Sequence, residues 1–151
     1  ALLTPAAKMP GLDGQKMSKS YNNTIQMRDD PDRVNSRLMS MPTDPARQRR
    51  NDPGDPERCP VWELHKIYTA SDTRETLSAG CKSAGIGCVD CKKPLLEKIL
   101  EEQAELQDRA RPFEQNPGRV REVIELGCER AREVAEETLN EVRLAVGTKY
   151  Q

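Results

Sequence analysis

Two dipeptides, Asp30-Pro31 and Asn116-Pro117, mark where this chain must turn helical. In each, a short polar side chain can accept from first-turn N–H groups. Proline then supplies the right φ at a position where its missing donor is not needed. After the first, Val34, Leu38 and Met41 recur at i, i+4 and i+7 and stop before Pro42. After the second, Val120, Val123, Ile124, Ala131, Val134, Ala135, Leu139, Val142 and Val146 trace one long apolar face that Gly147 ends. Between them, Pro42, Pro45, Pro53, Gly54 and Pro56 deny residues 42–58 a regular element. Cys59-Pro60 opens a short helix with Val61, Leu64, Ile67 and Tyr68 on one side, and Asp72, with Glu75 three residues on, is placed to cap another. Residues 81–91 read as glycine-rich and irregular. Helical pattern resumes at about Lys92, with Leu95, Leu96, Ile99, Leu100 and Leu106 inward until Pro112. Residues 1–28 hold no sustained period and read as loop with at most a short strand. The expected fold is mainly α, a helical bundle behind an irregular N-terminal segment.

Hydrophobic residues are only 35% and aromatics 3% against 32% charged, so a core must come from Leu, Val, Ile and Ala along helix stripes. No run reaches the roughly 20 apolar residues of a membrane span, and no signal peptide is evident, so the chain reads as soluble. A net charge of −1 leaves any nucleic-acid partner to local clusters. The chain opens Ala-Leu-Leu-Thr-Pro without methionine, which reads as a piece of a longer protein.

The chemistry concentrates in two places. The first is Lys16-Met17-Ser18-Lys19-Ser20, preceded by Gly11 and Gly14 and followed by Asn22-Asn23. Glycines allow close approach and positive φ. Lys16 and Lys19 present two flexible ammonium groups to one region, suited to a phosphate chain whose charge shifts during reaction, and Ser18 and Ser20 add hydroxyl donors. The physical reading is a mobile loop that clamps a triphosphate. The second place is the quartet Cys59, Cys81, Cys88 and Cys91, spaced C-x21-C-x6-C-x2-C. Four thiolates without histidine in that spacing suit tetrahedral zinc or a [4Fe–4S] cluster, and spacing alone does not choose. Lys82, Lys92 and Lys93 are placed to offset the excess thiolate charge.

The string GLDGQKMSKS resembles the KMSKS loop of class I aminoacyl-tRNA synthetases. Four further segments match the tryptophanyl-tRNA synthetase family in its C-terminal half: Thr43-Asp44-Pro45, Asp52-Pro53-Gly54-Asp55-Pro56, Cys59-Pro60-Val61 and Glu141-Val142-Arg143-Leu144-Ala145-Val146-Gly147. Gly127, Ala131-Arg132 and Ala135 within one helix match it too. The similarity covers nearly the whole chain.

That resemblance implies residues 1–28 as the end of a catalytic domain carrying the loop. It implies residues 29–151 as an α-helical anticodon-binding domain holding the cysteine site. It also implies ATP with Mg2+ as substrate, with Lys16 and Lys19 catalytic and Lys16, Met17, Ser18, Lys19 and Ser20 binding the nucleotide. Tryptophan would bind through a missing domain and tRNA(Trp) would be the partner, in a cytoplasmic homodimer. A bacterial subset of the family carries such cysteines around a [4Fe–4S] cluster. The first gap here is one residue shorter than in that subset, and zinc is the alternative metal. The Rossmann domain with its HIGH-type motif is absent, because the single histidine, His65, lies in Trp62-Glu63-Leu64-His65.

Two other assignments remain open on the residues alone: a tyrosyl-type class I synthetase, and a free-standing metal-stabilised RNA-binding module without chemistry. His65 and Trp62 read as packing residues, and Cys128 as inert packing within its helix. Arg47, Arg49 and Arg50, like Arg109 and Arg111, read equally as phosphate contacts or as solvated surface.

Overall fold

The computed structural model describes residues 8–148, and five α-helices are the main elements among them. They are α1 (Pro31–Ser40), α2 (Pro60–Tyr68), α3 (Ser71–Lys82), α4 (Cys88–Gln115) and α5 (Pro117–Ala145), with short 3-10 turns at Lys19–Tyr21 and Pro56–Arg58. No strand forms among the described residues. From residue 8 the N-terminal segment is loop, as expected, with one isolated bridge between Pro10 and Lys16.

Both cap-plus-proline starts form as the sequence predicts. Asp30 Oδ1 accepts from Arg33 N at 2.9 Å, and the side chain of Asn116 accepts from Arg119 N. Three boundaries differ. The expected Asp72 cap is absent: α3 begins two residues earlier, at Ser71 behind Ala70, and Asp72 Oδ1 accepts instead from its neighbour Thr73 N at 2.6 Å. The segment 81–91 is helical at both ends, with Cys81 in the last turn of α3 and Cys88 opening α4 four residues before the expected start, while residues 83–87 between them are irregular as the glycines predict. α4 continues past Pro112 to Gln115, since proline's φ is itself helical and its ring removes a single donor from the ladder.

The chain divides into two compact units, residues 1–107 and 108–151. The first holds the core. Val34 and Leu38 of α1, with Met41 just beyond it, meet Val61 and Leu64 of α2 and Leu95 and Ile99 of α4. Each such side chain contributes roughly 1.5–3 kcal/mol on leaving water. Met9, Leu12 and Ile25 pack against the same cluster, which ties the lysine segment to the helices. Loop 42–58 gains its shape from Asp44, 4% exposed, whose carboxylate accepts from Ala46 N at 3.0 Å and Asp55 N at 2.8 Å. In the second unit, α5 buries none of its side chains. Val120, Val123, Ile124, Val134, Leu139, Val142 and Val146 stand exposed along the apolar face that the periodicity draws. Gly147, at φ +68°, ends it in a conformation glycine accepts without strain.

Candidate functional site

The lysine segment is held at successive main-chain groups. Met17 N donates to Met9 O at 2.8 Å, and Gly11 N to Gln15 O at 2.6 Å. Gly14 closes the preceding turn at φ +80°, where an L side chain would be strained. Ser18 Oγ and Ser20 Oγ share a hydrogen bond of 2.8 Å. Lys16 and Lys19 are exposed while Met17 and Ser18 are half-buried, so two ammonium groups project from a backbone that is itself tied down. Asp13, whose carboxyl is held below its usual range by Asn23 and the N–H of Gln15, lies on the same turn.

Sequence reasoning missed Asn23. It is buried beneath this turn and hydrogen-bonded to Asp13, Lys16 and Ser18, with partners five to ten residues away. Its only signal in the sequence was its place in the Asn22-Asn23 pair that follows the lysine segment. Arg37 of α1 fastens the far end, donating to the main-chain oxygen of Asn22 and to Asn22 Oδ1, the latter at 2.8 Å.

Cys59, Cys81, Cys88 and Cys91 come to one region, where neighbouring cysteines bear on the thiols of Cys59, Cys81 and Cys91. Burial pushes the Cys59 and Cys81 thiols up, and pushes Cys91 up to about 12 with the other three cysteines adding to it. Gly54 makes room, because a Cβ there would lie 2.7 Å from Cys81 Sγ. The residue chemistry suits a soft metal, but the assembled shell expected from the spacing is not formed. Among the described residues no group of three or more His, Cys, Asp or Glu side chains is arranged to hold a metal ion. The sulfurs turn to other neighbours: Cys91 Sγ lies 3.6 Å from His65 Nε2, and Cys81 Sγ 4.0 Å from an Arg47 guanidinium nitrogen.

Several side chains take roles that the sequence did not assign. Arg47 is neither a phosphate contact nor solvated surface. It is 8% exposed and donates to Arg50 O and Ile86 O, each at 2.7 Å, tying loop 42–58 to the turn before α4. Lys92 sends its ammonium to main-chain oxygens of Met39 and Met41, and Lys93 pairs with Asp90 at 2.7 Å, so neither makes a direct contact with a thiol. His65 and Trp62 are packing residues as expected, 0% and 7% exposed. The His65 ring meets Thr69 Oγ1 at 2.8 Å, and burial lowers its pKa to about 4. Cys128, expected to pack, is exposed on α5.

Residues 1–102 match the model of the class I tRNA synthetases (W and Y). The chain belongs to that family. It is 54% identical over 149 residues to a tryptophan–tRNA ligase of Ralstonia nicotianae, which covers 99% of this chain and 37% of that protein. It is 42% identical over 151 residues to the tryptophan–tRNA ligase of Thermotoga maritima, covering 99% and 46%. The structure of tryptophanyl-tRNA synthetase from Campylobacter jejuni, complexed with ADP and tryptophan, superposes with a TM-score of 0.82 at 26% identity, covering 97% of this chain and 46% of that one. The chain thus spans less than half the length of these relatives, 37–46%. No described helix is long and apolar enough to cross a membrane.

Proposed function

We propose that this chain is the KMSKS-loop and helical portion of a bacterial tryptophan–tRNA ligase. The observation that carries the reading is the pinned turn at residues 16–20 with both lysines exposed, in a chain that aligns along nearly its whole length with tryptophan–tRNA ligases. Residues 1–28 are then the end of the catalytic domain, and residues 29–151 the helical domain that meets the anticodon of tRNA(Trp). Tryptophan binds through the rest of the ligase, which works as a cytoplasmic homodimer.

In the reaction, the tryptophan carboxylate attacks the α-phosphate of ATP and pyrophosphate leaves, after which tryptophan passes to the terminal adenosine of the tRNA. Negative charge grows on the bridging oxygen and the departing phosphates. Lys16 and Lys19 are placed to meet that charge, with Mg2+ accompanying the nucleotide, while Ser18 and Ser20 offer hydroxyls and Met17 an apolar surface. Fixed donors aimed at developing charge are worth on the order of 10²–10³ in rate each.

The finer reading of the cysteines is a [4Fe–4S] cluster held by Cys59, Cys81, Cys88 and Cys91, with zinc as the alternative. The all-sulfur donor set, its mutual proximity and the space kept by Gly54 support it. When bound, the group would supply a structural crosslink between the start of α2 and the α3–α4 turn.

The test is tryptophan-dependent ATP–pyrophosphate exchange and charging of tRNA(Trp) by the full-length protein. Exchange driven by tryptophan and not tyrosine is the expected result. Absence of exchange with either amino acid would overturn the ligase reading.

A further inference from the structure

Asn23 uses every hydrogen-bonding group of its amide inside the lysine turn. Oδ1 accepts from Ser18 N at 2.7 Å, while Nδ2 donates to Asp13 Oδ1 at 2.8 Å and to Lys16 O at 3.1 Å. Its main-chain oxygen accepts from Leu12 N at 2.8 Å, and the residue is 4% exposed. The side chain therefore grips the main chain on both sides of Met17, at Lys16 and at Ser18. Gly11 explains how it fits: a Cβ at that position would lie 2.3 Å from Asn23 Nδ2 and 2.6 Å from its Cγ. Asn22, at φ +50°, then turns the chain out of the 3-10 turn under the hold of Arg37.

Lysine ammonium groups ride on long flexible stems, so what decides whether two of them reach the same phosphates is where their main chain is anchored. The anchors between Lys16 and Lys19 are Met9 O, through Met17 N, and the amide of Asn23. Asn23 is buried while Lys16 and Lys19 are exposed, so its amide acts on their main chain.

We propose that Asn23 is a positioning residue for ATP-dependent activation, fixing the backbone of residues 16–18 so that Lys16 and Lys19 converge on one phosphate chain, and that Gly11 serves the same function by leaving space for its amide. The proposal rests on the ligase reading above. It assigns Asn23 a role in the rate of the chemical step, distinct from a role in holding tryptophan.

Steady-state tryptophan-dependent ATP–pyrophosphate exchange in the full-length ligase tests it. Asn23→Ala should lower kcat by roughly 10–100-fold, the scale of a misplacement of about 1 Å, with the KM for tryptophan changed by less than about threefold. Gly11→Ala, which reaches the lysines only by displacing the same amide, should give the same split. Combining the two should cost no more than Asn23→Ala alone, because coupled changes are not additive.

Asn23→Asp keeps the acceptor for Ser18 N but sets a carboxylate against Asp13. Adding Asp13→Asn restores a donor–acceptor pair and should recover part of the lost rate. That rescue also serves if Asn23→Ala fails to fold. Wild-type kcat in Asn23→Ala, losses of the two single variants that multiply, or no rescue in the double exchange would each overturn the positioning role. A wild-type enzyme without tryptophan-dependent exchange would instead overturn the ligase reading.

Discussion

The ammonium group of Lys92 donates to the main-chain oxygen of Met41 at 2.6 Å, and also reaches Met39 O at 2.8 Å. A lysine 3% exposed in α4 thereby satisfies carbonyl groups at the C-terminal end of α1, where a helix leaves acceptors unpaired and favours positive charge. Burial pulls its pKa below the ordinary lysine value, and nearby cysteines pull the other way. Two effects oppose each other in Lys92→Met: relief of a buried charge, and loss of the donors to two inward-facing carbonyls. The second should win, because an unsatisfied buried acceptor costs about 1–3 kcal/mol and methionine has no donor to replace it. Denaturant titration of the variant should show a loss of that size, and unchanged stability would mean the two effects cancel.

His65 sets a pH dependence. Its imidazole is fully buried, between Thr69 Oγ1 and Cys91 Sγ, and burial lowers its pKa from 6.5 to about 4. Between those two values the unfolded chain binds a proton that the folded chain refuses. Stability from this group is therefore whole above the upper value and declines as pH falls through the window. The total is on the order of 3 kcal/mol. Urea unfolding followed across that window should show the decline, and His65→Gln should flatten it. An equal slope in the variant would assign the effect to other groups.

How much of this could be read in advance depends on the range over which each signal acts. The caps at Asp30 and Asn116 and the Val34–Leu38 stripe were legible because local periodicity and capping chemistry dictate them. Asn23 was not, because a loop has no period and its partners are fixed only once the turn closes. The arginine run hid a division of labour: Arg47 turns inward to Ile86 O, 39 residues away, while Arg49 and Arg50 stay outside. The contact of His65 with Cys91 joins α2 to α4 across 26 residues, which no spacing rule within 81–91 could reveal. In α5 the periodicity reported amphipathicity correctly, but amphipathicity does not say what covers a face.

Lys19 should matter to the reaction more than to binding. It is exposed and leads into the 3-10 turn at Lys19–Tyr21, so its side chain supports nothing in the core. Lys19→Ala in the full-length ligase should lower the exchange rate by on the order of 10²–10³ with tryptophan affinity nearly intact, as expected for a contact made mainly in the transition state. Equal losses in rate and in tryptophan affinity would remove it from that role.

The cysteine site makes the most exposed prediction, because the described geometry and the donor chemistry point in different directions. No ligand shell is formed among the described residues, yet burial, with neighbouring cysteines adding to it, raises the thiols of Cys59, Cys81 and Cys91, the last pushed up to about 12. Such thiols hold their protons at neutral pH, and a bound metal would have to displace them, so occupancy should fall as pH falls. Anaerobically purified full-length protein is expected to contain about four iron and four sulfide per chain, with brown colour that fades in air. One zinc without colour would keep the ligands and change the metal. Cys88→Ser should lose the metal and weaken tRNA charging while sparing ATP–pyrophosphate exchange, since the hydrogen bonds that hold the lysine turn come from Met9 and Asn23 and not from α4. Folded protein with neither metal would leave Cys91 and His65 as an ordinary buried thiol–imidazole contact, and the Gly54 gap as room for a side chain alone.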